Sequence, residues 1–261
     1  MMSRHEGIEA ALTKKIQQGG KCLVPYITGG FSGYLETISA AADAGADAIE
    51  IGIPFSDPVM DGPTIQMAND VVLSKGITPE RILNDIASLE IDVPLAIMTY
   101  YNVVYRYGLE RFAAELKESA ISGAILPDLP LLEAKPWMDT AAKSSIETIL
   151  FAAPTTTDEQ LPEICENSSG FVYAVGLLGV TGAREELASS AQVIARRCKE
   201  VTDKPVLVGV GIGTPKQAQE VAKVSDGCIV GSAIVQRLLD GGGAESVGEF
   251  VTELRTALDT I

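Results

Sequence analysis

Two alternating patterns of apolar residues run the length of this chain. Short, β-rich runs recur as "CLVPYIT" (22–28), "DAIEIGI" (47–53), "PLAIMTY" (94–100), "SGAILPD" (122–128), "TILFAA" (148–153), "FVYAVG" (171–176), "PVLVGVG" (205–211) and "GCIVGSA" (227–233). Runs this short and this apolar predict buried strands. Most lead into stretches with apolar residues every three or four positions, such as "LETISAAADAG", "PERILNDIASLE" and "LERFAAELKES". Those predict amphipathic helices. "TPERI" and "TPKQA" place Thr78 and Thr214 as N-caps, each before a proline suited to the first helical turn. Gly45 follows the helix that precedes the second strand.

Eight strands, each feeding a helix, within 261 residues point to an α/β fold. The expected form is a (β/α)8 barrel of the TIM type, with an open doubly wound sheet as the competing arrangement. "MSRHEGIEAALTKKIQQGG" predicts an extra N-terminal helix before the first strand, capping the barrel floor. No stretch has the composition of a linker, so residues 1–261 are expected to form a single domain.

Composition narrows the chemistry. A formal net charge of −15, with no Lys/Arg cluster, argues against nucleic acid or an anionic membrane as partner. Cys22, Cys165, Cys198 and Cys228 are scattered without a C-x-x-C pair, which suits reduced thiols better than a disulfide framework or zinc site. His5 is the only histidine and lies near the terminus. Most metal sites and all Ser-His or Cys-His mechanisms are thereby set aside. The first residues lack the apolar core of a secretory leader, and no segment reaches membrane-spanning length. A soluble, cytoplasmic protein is expected.

One strand carries a residue that burial alone does not favour. In "AIEIGI", Ile49, Ile51 and Ile53 share one face, and Ala48, Glu50 and Gly52 the other. The isoleucines suit the helix-facing side, which leaves Glu50 inside the barrel near the C-terminal end of its strand. Desolvation there raises a carboxyl's pKa toward neutrality, as a group that both gives and takes a proton requires. The alternative is a buried Glu satisfied by a nearby donor. Asp61, in "DPVMDGPTIQ", suits a turn before Gly62 as well as it suits chemistry. Asp57, in "FSDP", reads as a structural or interface residue.

The run "IEIGIPFSDPVMDG" resembles the signature of the tryptophan synthase α-subunit family. The likeness continues, in family order, through "VPYITGG", "MTYYN", "ILPDLP", "GVTGAR", "GVGIGTP" and "VGSAIV", and so covers nearly the whole chain. Met60 departs from it, since a small residue is usual there. The resemblance implies retro-aldol cleavage of indole-3-glycerol phosphate to indole and glyceraldehyde 3-phosphate, with no metal or cofactor. It implies Glu50 as general acid/base and Asp61 as the anion beside the indole N–H. It also implies a β-subunit partner in an α2β2 assembly, with a free-standing lyase as the alternative.

Three glycine-rich turns, "GVTG" (179–182), "GVGIG" (209–213) and "VGSA" (230–233), follow the sixth, seventh and eighth strands. Barrels often bind phosphate there, against a helix N-terminus. "GVGIG" lacks the context of a dinucleotide fingerprint, so a nicotinamide cofactor is not expected. By resemblance the phosphate contacts are Gly182, Gly211, Gly231 and Ser232. Tyr26, Tyr100, Ile125, Tyr173 and Val210 match family pocket positions, although each also suits ordinary barrel filling. A Tyr173 hydroxyl could hold Glu50. Thr181 matches the loop threonine that bonds the family's catalytic aspartate. Gly176 stands where the family commonly carries Ser.

Overall fold

The computed structural model describes residues 7–176, 184–209 and 211–261, and only the backbone of 184–189. Eight strands close into one parallel barrel in sequence order. They are β1 (Cys22–Thr28), β2 (Ile49–Gly52), β3 (Leu95–Met98), β4 (Gly123–Ile125), β5 (Glu147–Ala152), β6 (Val172–Ala174), β7 (Val206–Val208) and β8 (Gly227–Val230). β8 pairs with β1 through Cys22–Gly227 and Val24–Ile229, which closes the ring and excludes the open sheet.

Helices outnumber strands among the described residues. The first six are α1 (Ile8–Gln17), α2 (Tyr34–Asp43), α3 (Pro63–Ser74), α4 (Pro79–Ile86), α5 (Tyr101–Tyr107) and α6 (Leu109–Glu118). The rest are α7 (Leu131–Lys143), α8 (Gln160–Asn167), α9 (Arg184–Val201), α10 (Pro215–Ala222), α11 (Ser232–Leu239) and α12 (Gly243–Leu258). The punctuation read from sequence holds. Thr78 and Thr214 accept bonds from the backbone N–H groups of Arg81 and Gln217, with proline opening each helix. Gly45 ends α2 at φ +96°, a left-handed conformation that glycine adopts without penalty.

Strand alternation divides the core into two layers. Ile49, Ile51 and Ile53 pack outward with Leu23, Ile27 and Ile97 against the helices. Ala48, Ala96, Ile125, Ile149, Tyr173, Leu207 and Ile229 fill the inside. The extra helix is present as α1, and its Ile8 and Leu12 close the bottom of that inner layer. Glu147, entering β5, fixes α1 from within. Its Oε2 accepts from Ile8 N at 2.7 Å and its Oε1 from Glu9 N at 3.1 Å, neutralising a helix N-terminus. With the floor plugged, the opposite mouth is the place for a ligand.

Candidate active site

A cavity of about 360 Å³ opens at the C-terminal ends of the strands. Its walls include Tyr26, Glu50, Asp61, Tyr173, Gly211, Gly231 and Ser232, residues singled out from sequence. Gly176 lines it too, as does Met60. Tyr100 and Ile125 do not line it. Tyr100 instead stacks on Phe55 at 5.2 Å and its hydroxyl accepts from Met60 N at 2.9 Å, bracing the loop that carries Asp61. Ile125 is buried in the inner core. Thr181, Gly182 and Val210 lie outside the described residues.

Glu50 is 1 % exposed and neighbours Tyr26 across the β1–β2 ladder. Its Oε2 is buried with no hydrogen-bond partner. Nothing offsets the cost of desolvating the charge, and burial, reinforced by the negative charge of Asp61, raises its pKa to about 8. Tyr173 makes no hydrogen bond with it. The phenol instead stacks on Phe151 at 4.6 Å between ring centroids. An acid in this state keeps its proton at neutral pH yet can release it to a base of modest strength.

Asp61 is set differently. Burial raises its pKa as well, but hydrogen bonds from Asn69 and Tyr100 oppose the rise. Asn69 Nδ2 donates to Asp61 Oδ2 at 3.0 Å, and Gln66 Nε2 holds the main-chain oxygen of Asp61 at 2.7 Å. Two acids thus face one cavity, one without donors and the other supplied with them. Environments of that kind separate proton donor from anion.

Away from the acids, the wall is uncharged among the described residues. Gly231 precedes α11, and Ile234 N and Val235 N both donate to its carbonyl. The N–H groups of Ser232 and Ala233 therefore have no intrahelical acceptor, and the positive end of the α11 dipole points the same way. Gly211, at φ +52°, turns the chain beside them. Among the described residues, no lysine or arginine lines this end. Backbone N–H groups, a hydroxyl and a helix dipole can hold a phosphate without one.

Several contributors escaped the sequence reading. Asn69 and Gln66 come from α3, whose start is marked in the sequence by Gly62-Pro63. Met98, Phe151, Val175, Ile229 and Ile65 complete the apolar wall, and strand parity alone puts the first four on the inner face. Gly209 has no side chain because Tyr173 occupies the space a Cβ would need. Among the described residues there is no group of three or more His, Cys, Asp or Glu that could hold a metal, and no helix long and apolar enough to cross a membrane. All four cysteines are free and buried.

A closed parallel barrel with two buried acids at its C-terminal mouth defines a TIM-barrel enzyme with a carboxylate site. Comparison with known proteins carries this further. The family model described as tryptophan synthase alpha chain matches residues 12–257. The tryptophan synthase alpha chain of Streptomyces coelicolor is 43 % identical over 246 residues, 91 % of either chain. That of Methanosarcina mazei is 45 % identical over 241 residues, 90 % of this chain and 88 % of the other. Among solved structures, tryptophan synthase from Mycobacterium tuberculosis superposes with a TM-score of 0.88 at 34 % identity, covering 96 % of this chain and 97 % of that one. The chain belongs to the tryptophan synthase alpha chain family, carbon–carbon lyases that cleave indole-3-glycerol phosphate to indole and glyceraldehyde 3-phosphate.

Proposed function

We propose that Glu50 and Asp61 carry the cleavage of indole-3-glycerol phosphate in this chain as general acid/base and stabilising anion. The substrate's indole lies in the apolar part of the cavity, between Tyr26, Phe151 and Tyr173. Its phosphate meets Gly211, Gly231 and Ser232, with Gly182 as a further contact. The Glu50 carboxyl delivers its proton to indole carbon 3, and the positive charge that appears at the ring nitrogen is met by Asp61. The Glu50 carboxylate then takes the proton of the side-chain hydroxyl. As that oxygen forms a carbonyl, the carbon–carbon bond breaks and its electron pair restores the aromatic ring. Proton count and charge balance, and Glu50 returns to its starting form.

The observation that carries this reading is the buried Glu50 oxygen with no partner, held beside an Asp61 that has two. A carboxyl buried only for stability would be expected to have a donor of its own. We further propose that residues 1–261 act as one domain in the cytoplasm. There the chain docks a tryptophan synthase β subunit, in an α2β2 assembly, through the loop of Asp57 and Pro58. Val59 on that loop is 74 % exposed, a cost that a partner surface would remove.

The test is spectroscopic. Purified chain mixed with indole-3-glycerol phosphate should release indole and glyceraldehyde 3-phosphate in equal amounts, and Glu50→Gln should not. Equal turnover by wild type and Glu50→Gln would refute the assigned role.

A further inference from the structure

A carboxylate on a loop keeps one aim only if something rigid holds it. Behind Asp61 that something is Asn69, on α3 and 3 % exposed, whose Nδ2 donates to Asp61 Oδ2 at 3.0 Å. The other buried positions of α3 are Ala68 and Val72, so an apolar residue would suit the site. Burying an amide there costs stability unless both its ends are bonded, and Asn69 Oδ1 is buried without a partner. The side chain therefore gains little for the fold. Its one bond goes to a carboxylate that lines the cavity.

We infer that Asn69 is a positioning residue for the reaction: its amide aims Asp61 into the cavity and favours the anionic form there. The inference rests on the reading of Asp61 as the anion that meets the indole nitrogen. The titratable groups around Asp61 are Glu50 from β2, Tyr26 from β1, Tyr173 from β6 and Tyr100 beyond β3. None is a cation. Burial favours the neutral acid, and hydrogen bonds from Asn69 and Tyr100 oppose it. Tyr100 accepts from Met60 N and still donates to Asp61, so Asp61 has two donors, of which Asn69 is the one carried by a helix. Without that donor, Asp61 should bind a proton more tightly and lose its fixed direction.

The test uses the full chain carrying Asn69→Leu, of similar size, and Asn69→Ser, whose hydroxyl is too short to reach Asp61. With ¹³C-labelled aspartate, the Asp61 carboxyl resonance is assigned by its loss in Asp61→Asn and followed against pH. In either variant its midpoint should rise by about one pH unit, a tenfold gain in proton affinity. At neutral pH kcat should fall at least ~10-fold and recover in part as pH is raised, while KM changes by less than ~3-fold. Circular dichroism identifies folded variants, and the Ser variant serves if the Leu variant fails to fold. An unmoved Asp61 midpoint in a folded variant overturns the inference. A moved midpoint in the variants, with the wild-type chain itself releasing no indole, would instead overturn the proposed reaction and leave the positioning intact.

Discussion

Tyr26 and Gly52 share one volume at the barrel mouth: a Cβ on Gly52 would fall onto the Tyr26 ring and hydroxyl. Tyr26 stands opposite Glu50 in the β1–β2 ladder, and Gly52 is the next inward-facing position after Glu50. The tyrosine side chain thus leans along β2 and roofs the space beside the acid. A glycine at 52 is the condition for a tyrosine at 26.

Gly52→Ala should therefore displace the Tyr26 ring rather than be absorbed. Overpacking of this kind costs about 1–3 kcal/mol, and a shifted ring beside Glu50 should lower kcat/KM as well. In a Tyr26→Ala background, Gly52→Ala should cost little more than Tyr26→Ala alone, because the ring the methyl would strike is gone, so that the two changes are far from additive. Urea unfolding of the four proteins measures this. Additive losses would show that ring and glycine do not compete for space.

Glu50→Gln keeps the shape of the side chain and removes its proton chemistry. A positioned acid/base contributes about 10²- to 10⁴-fold to rate, and kcat should fall by that factor with KM little changed. Stability should move the other way. Burial lifts the Glu50 pKa from 4.5 to about 8, so the folded state holds a proton that the unfolded state has released. That contribution is complete below pH 4.5 and is lost as pH rises toward 8. Glu50→Gln should therefore melt higher than wild type at pH 8.5, by on the order of a few kcal/mol, and the gap should close toward pH 5. A variant that melts lower at pH 8.5 would show that Glu50 is buried as a satisfied ion.

Much of this was legible in the sequence, and the parts that were not have physical reasons. Every strand appeared as an apolar run, because a strand covered on both faces must be apolar along its whole length. Glu50 stood out as the exception to that rule. Several strands end sooner than the runs suggested. "GCIVGSA" leaves the sheet after Val230, and Ser232 already belongs to α11, since at the mouth the chain turns out of the ladder into a helix. Tyr100 matches a family pocket position and equally suits barrel filling. Its ring turns instead onto Phe55, a packing choice that periodicity does not encode. Asn69 was invisible for a related reason: its value comes from a partner eight positions away, before the start of its own helix, and helical periodicity says nothing about where a carboxylate outside the helix points.

Ser232 offers a test of the phosphate end. Ser232→Glu sets a negative charge at the N-terminus of α11, where a helix dipole tolerates it, so the fold should survive. The same charge repels a phosphate dianion, and affinity for indole-3-glycerol phosphate should fall by at least ~100-fold, about 2.7 kcal/mol. Indole, which lacks the phosphate, should lose less than ~3-fold. Calorimetric titration with each ligand separates the cases. Equal weakening of both would place the phosphate elsewhere.

Asp57 is exposed and bonded to the neighbouring Ser56 hydroxyl, and Val59 beside it has no cover. Pro54, Pro58 and Pro63 flank and interrupt the loop, limiting the conformations it can visit and presenting Asp57 and Val59 in a restricted arrangement. Asp61 lies four residues beyond Asp57 on the same segment. A protein docked on the outer part of the loop would therefore act directly on the aim of a reacting acid, by favouring the conformers in which Asp61 faces the cavity. The isolated chain should be a slow lyase, and saturating β subunit should raise kcat more than ~10-fold, about 1.4 kcal/mol of barrier. Asp57→Ala and Pro58→Ala should reduce that stimulation more than they reduce basal cleavage, because they disturb docking and leave the acids in place. Glyceraldehyde 3-phosphate formation, followed with and without β subunit, gives both quantities for each variant. A fast isolated chain that ignores the β subunit would point to a free-standing lyase, and the exposed loop would then need another explanation.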